Sequence, residues 1–312
     1  MRNRLRGDTI ADAEGSNRDR GRKLARRPEV GVVFDARADV RVFALFVVLN
    51  GAGYDLECGS KGMHHCRIAV REALAGWSSP RKERVRALLA RTHPWPFLLW
   101  AVNREFGGLP GGKVPLEGLF AKLFLGCQRE DPFVSSLVAA VLELDEAAPA
   151  ALEEVPWQAL WAQHRQPHDL QAERYRPAGG EALEQVLRYL RPRNEPTHGA
   201  VVYVPNLLDS HFTGYAVETG EEVFVVGGPD EEEEEEWAFV GLVQHEFAHI
   251  VVNPIVYAQT TLLDDTRHLM ARLADPTNPS LAPYPHWPTF VAENLVEAVT
   301  YSVNRLTSEV LA

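Results

Sequence analysis

Apolar positions recur at helical spacing through most of residues 36–192. In Glu181–Arg191 they fall at Leu183, Val186, Leu187 and Leu190, the i, i+3, i+4, i+7 register of one buried helix face. Similar stripes predict helices in Arg67–Trp77, Arg81–Arg91, Pro115–Cys127 and Pro132–Leu144. Breakers at Pro94-Trp95-Pro96, Gly107–Gly112 and Pro177-Ala178-Gly179-Gly180 separate them. The pattern changes after residue 199. Gly199–Pro205 and Phe212–Val226 carry the β-branched and aromatic bias of strands, with Glu218-Thr219-Gly220-Glu221 as a hairpin turn between Tyr215–Val217 and Glu222–Val226. An apolar run, Val240–Val252, then predicts one helix that Asn253-Pro254 should stop. Behind a proline-rich loop (Pro283, Pro285, Pro288), a last helix should open on Thr289 as N-cap. Its apolar face would hold residues 291, 295, 298 or 299, 303 and 306, and another face Glu293, Glu297, Tyr301 and Asn304. The expected fold is α+β: a mainly helical lobe over 36–192, and a lobe over 193–312 with a small twisted sheet and two site-bearing helices, the cleft between them.

The Val240–Val252 helix contains His245-Glu246-Phe247-Ala248-His249. Residues four apart share a helix face, so both imidazoles can point at one centre and each place a nitrogen about 2.0–2.1 Å from a zinc ion. Glu246 projects beside that centre, where a base must stand to take a proton from water that the cation acidifies. A buried helix has little other reason to bring two imidazoles and a carboxylate together, because each would need its own partner.

Zn2+ bound this way needs a third protein ligand. The arrangement HExxHxxGxxH is excluded, since Val252 and Ile255 stand where it requires Gly and His. The last helix supplies Glu293 and Glu297, one turn apart; facing a cation, one ligates and the other orients a ligand as an acceptor. Glu297 itself, Asp264 and Asp265 are the rival third ligands.

HExxH followed by a helix with two acids four residues apart resembles the gluzincin pattern of thermolysin-like peptidases. That resemblance makes Glu293 the ligand and Glu297 the acid behind a zinc histidine. Here the second acid is Glu rather than Asp, and 44 residues separate His249 from Glu293, longer than the thermolysin type. The stretch His245–Pro254 (HEF-small-HxxxNP) and the later Glu293–Ala298 are closer to an uncharacterised bacterial family of predicted zinc peptidases. That likeness extends loosely over residues 35–312 and implies a class of chemistry without a substrate.

Hydrolysis also needs an electrophile for the developing oxyanion. Tyr301, two turns beyond Glu293, is the expected one; Tyr257, Tyr284, His268 and His286 compete. A sheet edge beside the helix would bind an extended peptide by strand addition.

Composition narrows the rest. With 32 Lys and Arg against 43 Asp and Glu, the formal charge of −11 opposes general nucleic-acid or anionic-membrane binding. The acidic run Asp230–Glu236 reads as a solvated helix start. Nine Lys or Arg lie among the first 27 residues without an apolar segment behind them, which predicts a disordered basic arm over residues 1–30 rather than a secretory signal. The apolar run Val42–Ala52 is too short to span a bilayer. Three cysteines (58, 66 and 127) give no disulfide framework and, without an export signal, predict a cytoplasmic location. Cys58, His64, His65 and Cys66 lie close in sequence, but their spacing fits no common zinc ribbon or finger. The glycine-rich 107–112 stretch lacks a Lys-Ser/Thr ending, so it is a loop and no phosphate cradle. The expected function is a zinc-dependent hydrolase acting on a peptide or protein substrate. The alternatives are a peptide- or partner-binding protein without turnover, and hydrolysis of a non-peptide amide or ester.

Overall fold

A computed structural model describes residues 32–56, 62–105, 108, 132–192, 199–211, 213–220, 222–229, 236–273 and 286–311. The basic arm, the helix expected over Pro115–Cys127, Cys58, Cys127, Tyr284, residues 230–235 of the acidic run and the 107–112 loop apart from Gly108 lie outside the described residues.

Residues 32–312 form one compact unit, an α+β structure around a four-stranded mixed sheet in the order β1-β2-β4-β3. The strands are β1 (Val33–Ala36), β2 (Ala200–Pro205), β3 (Gly214–Glu218) and β4 (Glu222–Gly227). β1 and β4 run parallel to β2, with Val33 opposite Ala200 and Val201 opposite Val223. β3 is the antiparallel edge, Tyr215 opposite Val226, and Thr219 N–H closes the hairpin on the Glu222 carbonyl at 2.8 Å. The hairpin matches the sequence expectation; β1 was not foreseen.

Helices cover both faces of the sheet. Period-two alternation sends Val202, Val204, Phe224, Val226, Tyr215 and Val217 to one face. There they pack on α1 (Val40–Gly51), α2 (His65–Ala73), α3 (Pro80–Leu89), α4 (Trp95–Asn103) and α5 (Pro132–Leu152). Val201, Tyr203, Val223 and Val225 meet α6 (Trp157–Leu190), α7 (Glu236–Tyr257) and α10 (Trp287–Leu311) on the other. The short helices α8 (Thr260–Thr266) and α9 (His268–Leu273) lie between α7 and α10 in the chain. Burial on both faces is why β2 and β4 read as continuous apolar runs.

Several helix boundaries differ from the sequence reading: α5 continues eight residues past Leu144 to Leu152, through Pro149, and α4 starts at Trp95 inside the expected breaker. α6 is one helix of 34 residues that runs through Pro167 and through Pro177–Gly180. Gly179 is no breaker there. A Cβ on it would fall 1.9 Å from Phe34 Cζ, so the residue admits the β1 side chain against the helix. α7 continues past Pro254 to Tyr257. The proline sits in the last turn, where one missing N–H costs little and Ala258 N–H still reaches the Pro254 carbonyl at 3.2 Å. α10 begins at Trp287, with the first helical bond from Phe290 N–H to the His286 carbonyl (3.0 Å), so Thr289 lies inside the first turn. Its buried stripe is Ala292, Val296 and Val303, whereas Leu295 and Leu306 are exposed; the helix is rotated from the expected face because small Ala292 packs close.

α7 is apolar along most of its length and packs its buried face on the sheet, α6 and α10, while Pro254 and Ile255 are exposed. Its stretch Phe239–Tyr257 is also long and apolar enough to cross a membrane, longer than the Val42–Ala52 run.

Candidate metal centre

α7 and α10 pack side by side, and their facing turns bring three sequence-predicted residues together. His245, His249 and Glu293 each offer a ligand atom within 4.8 Å of the others. His245 Nε2 and His249 Nε2 are 3.2 Å apart. Glu293 Oε2 lies 3.7 Å from the first and 3.6 Å from the second. Two nitrogens each about 2.0–2.1 Å from one tetrahedral ion stand about 3.4 Å apart, so all three edges suit a common cation.

The other nitrogens of the rings fix which lone pairs face inward. His249 Nδ1 donates to Asn253 Oδ1 at 3.2 Å, leaving Nε2 as the bare nitrogen. His245 Nδ1 faces Glu297 Oε1 at 3.6 Å, beyond hydrogen-bond length but within ion-pair range. Glu297 is 71% exposed at its side chain. Both Nε2 atoms and the Glu293 carboxylate therefore converge on one point. Burial pulls the His245 imidazole down, but the hydrogen bond to Glu293 and the charges of Glu246, Glu293 and Glu297 outweigh it and raise its pKa. The pocket attracts positive charge.

Glu246 lies against the sheet edge, within electrostatic range of His249, His245 and Glu293. It is 7% exposed, and its carboxylate accepts the backbone N–H of Ala216 in β3. Burial raises its pKa above the carboxylate range, partly offset by His249, His245 and that N–H. Gly214 makes room: a Cβ there would stand 2.5 Å from Glu246 Oε1.

β3 pairs with β4 through its odd residues, so Gly214, Ala216 and Glu218 face outward. That edge is already claimed. The Trp95 indole donates to the Ala216 carbonyl at 2.8 Å, and Asn103 Nδ2 donates to the Glu218 carbonyl at 2.8 Å. The expectation of unpaired edge groups awaiting a peptide is corrected for these two carbonyls.

The remaining candidates lie apart from the triangle. Asp264 and Asp265 are exposed on α8 and contribute to no ligand group among the described residues. Tyr301 is 70% exposed. Tyr257 OH bonds Thr289 Oγ1 at 3.2 Å, His286 Nδ1 bonds the same oxygen at 3.0 Å, and His268 Nδ1 bonds the Asp265 carbonyl at 2.9 Å.

Two residues near the centre escaped the sequence reading. Asn253 was read only as a helix stop, although its i+4 spacing from His249 was the available signal. His93 sits in the turn before α4, where only the Pro94-Trp95-Pro96 breaker drew notice. Its Nδ1 takes Trp95 N–H at 3.4 Å, and its ring lies 5.6 Å from that of Tyr215 in β3. Desolvation lowers its pKa against the opposing pull of the Glu293 carboxylate.

Comparison with protein-family models, with curated proteins and with solved structures finds no match to this chain.

Proposed function

We propose that the protein is a zinc-dependent hydrolase of gluzincin type, with His245, His249 and Glu293 as ligands and peptides as the substrate class. The observation that carries this reading is the convergence of two imidazole nitrogens and one carboxylate at 3.2–3.7 Å. That donor set suits zinc.

Bound there, zinc would polarise a scissile carbonyl and acidify water. Glu246 is the base. Its raised pKa suits a group that takes a proton from water and returns it to the leaving amine. The Ala216 N–H holds that carboxylate in one orientation. Glu297 and Asn253 orient the two rings from behind. His93, within electrostatic range of Glu293 from the turn before α4, is a second candidate beside Tyr301 to donate to an oxyanion, and both side chains are exposed.

The test pairs metal analysis with digestion of an unbiased peptide library. Glu246→Gln should keep the wild-type zinc content and lose about 10²–10⁴-fold in turnover, while His245→Ala and Glu293→Ala should each lose one equivalent. Full zinc retention in Glu293→Ala would refute the ligand set. Zinc binding without cleavage would favour a peptide-holding protein.

A further inference from the structure

We propose that His64, His65 and Cys66, with the ring of His164 behind them, form a second metal site for a borderline or soft cation of the zinc class. The three neighbours each present a ligand atom within 4.8 Å of the others. His65 Nε2 lies 3.5 Å from Cys66 Sγ. A nitrogen and a thiolate sulfur on one tetrahedral zinc, at about 2.0 and 2.3 Å, stand about 3.6 Å apart. The start of α2 sets this arrangement. His64 is the N-cap, its Nδ1 taking Cys66 N–H at 3.2 Å, and its ring centre lies 4.1 Å from that of His65, the planes tilted by 38°.

His164 supplies the independent observation. It is 6% exposed, and its Nε2 is buried without a hydrogen-bond partner. It lies near enough to His64 and His65 to interact electrostatically with both. One turn along α6, His168 uses both nitrogens internally, donating to the His164 carbonyl at 2.8 Å and accepting Leu207 N–H at 3.3 Å. His168 is therefore structural, whereas His164 has a nitrogen to spare. His211 completes a group of five of the chain's 11 histidines.

The donor set selects the ion. Thiolate with imidazoles suits Zn2+, Co2+ or Cu+, and not Mg2+ or Ca2+. Exposed His65 gives access and buried Cys66 gives retention. On binding, the Cys66 S–H bond breaks, its proton passes to solvent, and sulfur donates to the cation with no change of oxidation state.

Cobalt distinguishes this site from the His245–His249–Glu293 centre, which has no sulfur. The full chain, stripped of metal by chelation, is titrated with Co2+ and followed by absorption. The expected result is a near-ultraviolet thiolate-to-cobalt charge-transfer band that accounts for one of two bound equivalents and, in Glu293→Gln, saturates at one. His65→Ala, at an exposed position that folding tolerates, should weaken the band's affinity at least tenfold. His164→Gln should weaken it about tenfold, and Cys66→Ser should abolish it. Saturation without that band, or a band unchanged in Cys66→Ser or His65→Ala, would overturn the site. Unchanged affinity in His164→Gln would overturn the place of His164 in it.

Discussion

His249 presents a bare Nε2 to the cluster only while its Nδ1–H has an acceptor, and Asn253 Oδ1 fills that role at 3.2 Å. Asn253→Ala should therefore weaken zinc binding about 10–100-fold without unfolding the chain, measured by competition with a chelator. His93 acts, on the proposed reading, after substrate has bound. His93→Ala should lower kcat by about 10²–10³-fold at unchanged zinc content, and a variant altered only in KM would move His93 out of the chemistry. At this scale the sequence was legible wherever one helix carried the information. The i, i+4 spacing announced His245 and His249, and the paired acids on the last helix announced Glu293. His93 was illegible because its relation to Glu293 spans 200 residues and leaves no local period.

Helix α7 and strand β3 position the base between them. Gly214 matters at this level, since any side chain there collides with both Leu242 Cδ1 and Glu246 Oε1. Gly214→Ala should push the carboxylate off the Ala216 N–H and cut turnover at least tenfold, with zinc content and the helical far-ultraviolet spectrum unchanged. Full activity would show that the bond to Ala216 does not orient the base. Elements were readable from sequence where periodicity and turn chemistry agreed, as in the Thr219–Glu222 hairpin. They were misread where a tertiary contact overruled a local signal. Pro177–Gly180 looks like a break until Phe34 is seen to need the space over Gly179. Val33–Ala36, four residues long, becomes a strand only by parallel pairing with β2, far along the chain.

For the molecule as a whole, α6 carries buried polar groups whose ionisation is linked to folding. Burial holds the His168 pKa at about 4, below the ordinary 6.5. The unfolded chain therefore takes up a proton before the native one does, and stability from this residue, complete above 6.5, drains away as pH falls toward 4. The stability advantage of the wild type over His168→Gln should shrink by about 2 kcal/mol between pH 7 and pH 5, measured by urea titration at each pH. Asp209 works in the opposite sense. Burial raises its pKa to about 6, and its protonation in acid favours the native state; comparison with the variant cancels that contribution. α6 also spans both cores. Trp157 and Leu160 belong to one hydrophobic cluster and Ala172–Leu187 contribute to the other. Near its far end Gln185 Oε1 accepts from Gln244, the residue before His245, at 2.6 Å. A single rod thus braces both sides of the sheet like a spar through two wing ribs. Neither half can be excised and transplanted as a working module, and any engineered hinge in that spar would disturb the histidine pair from more than 20 Å away.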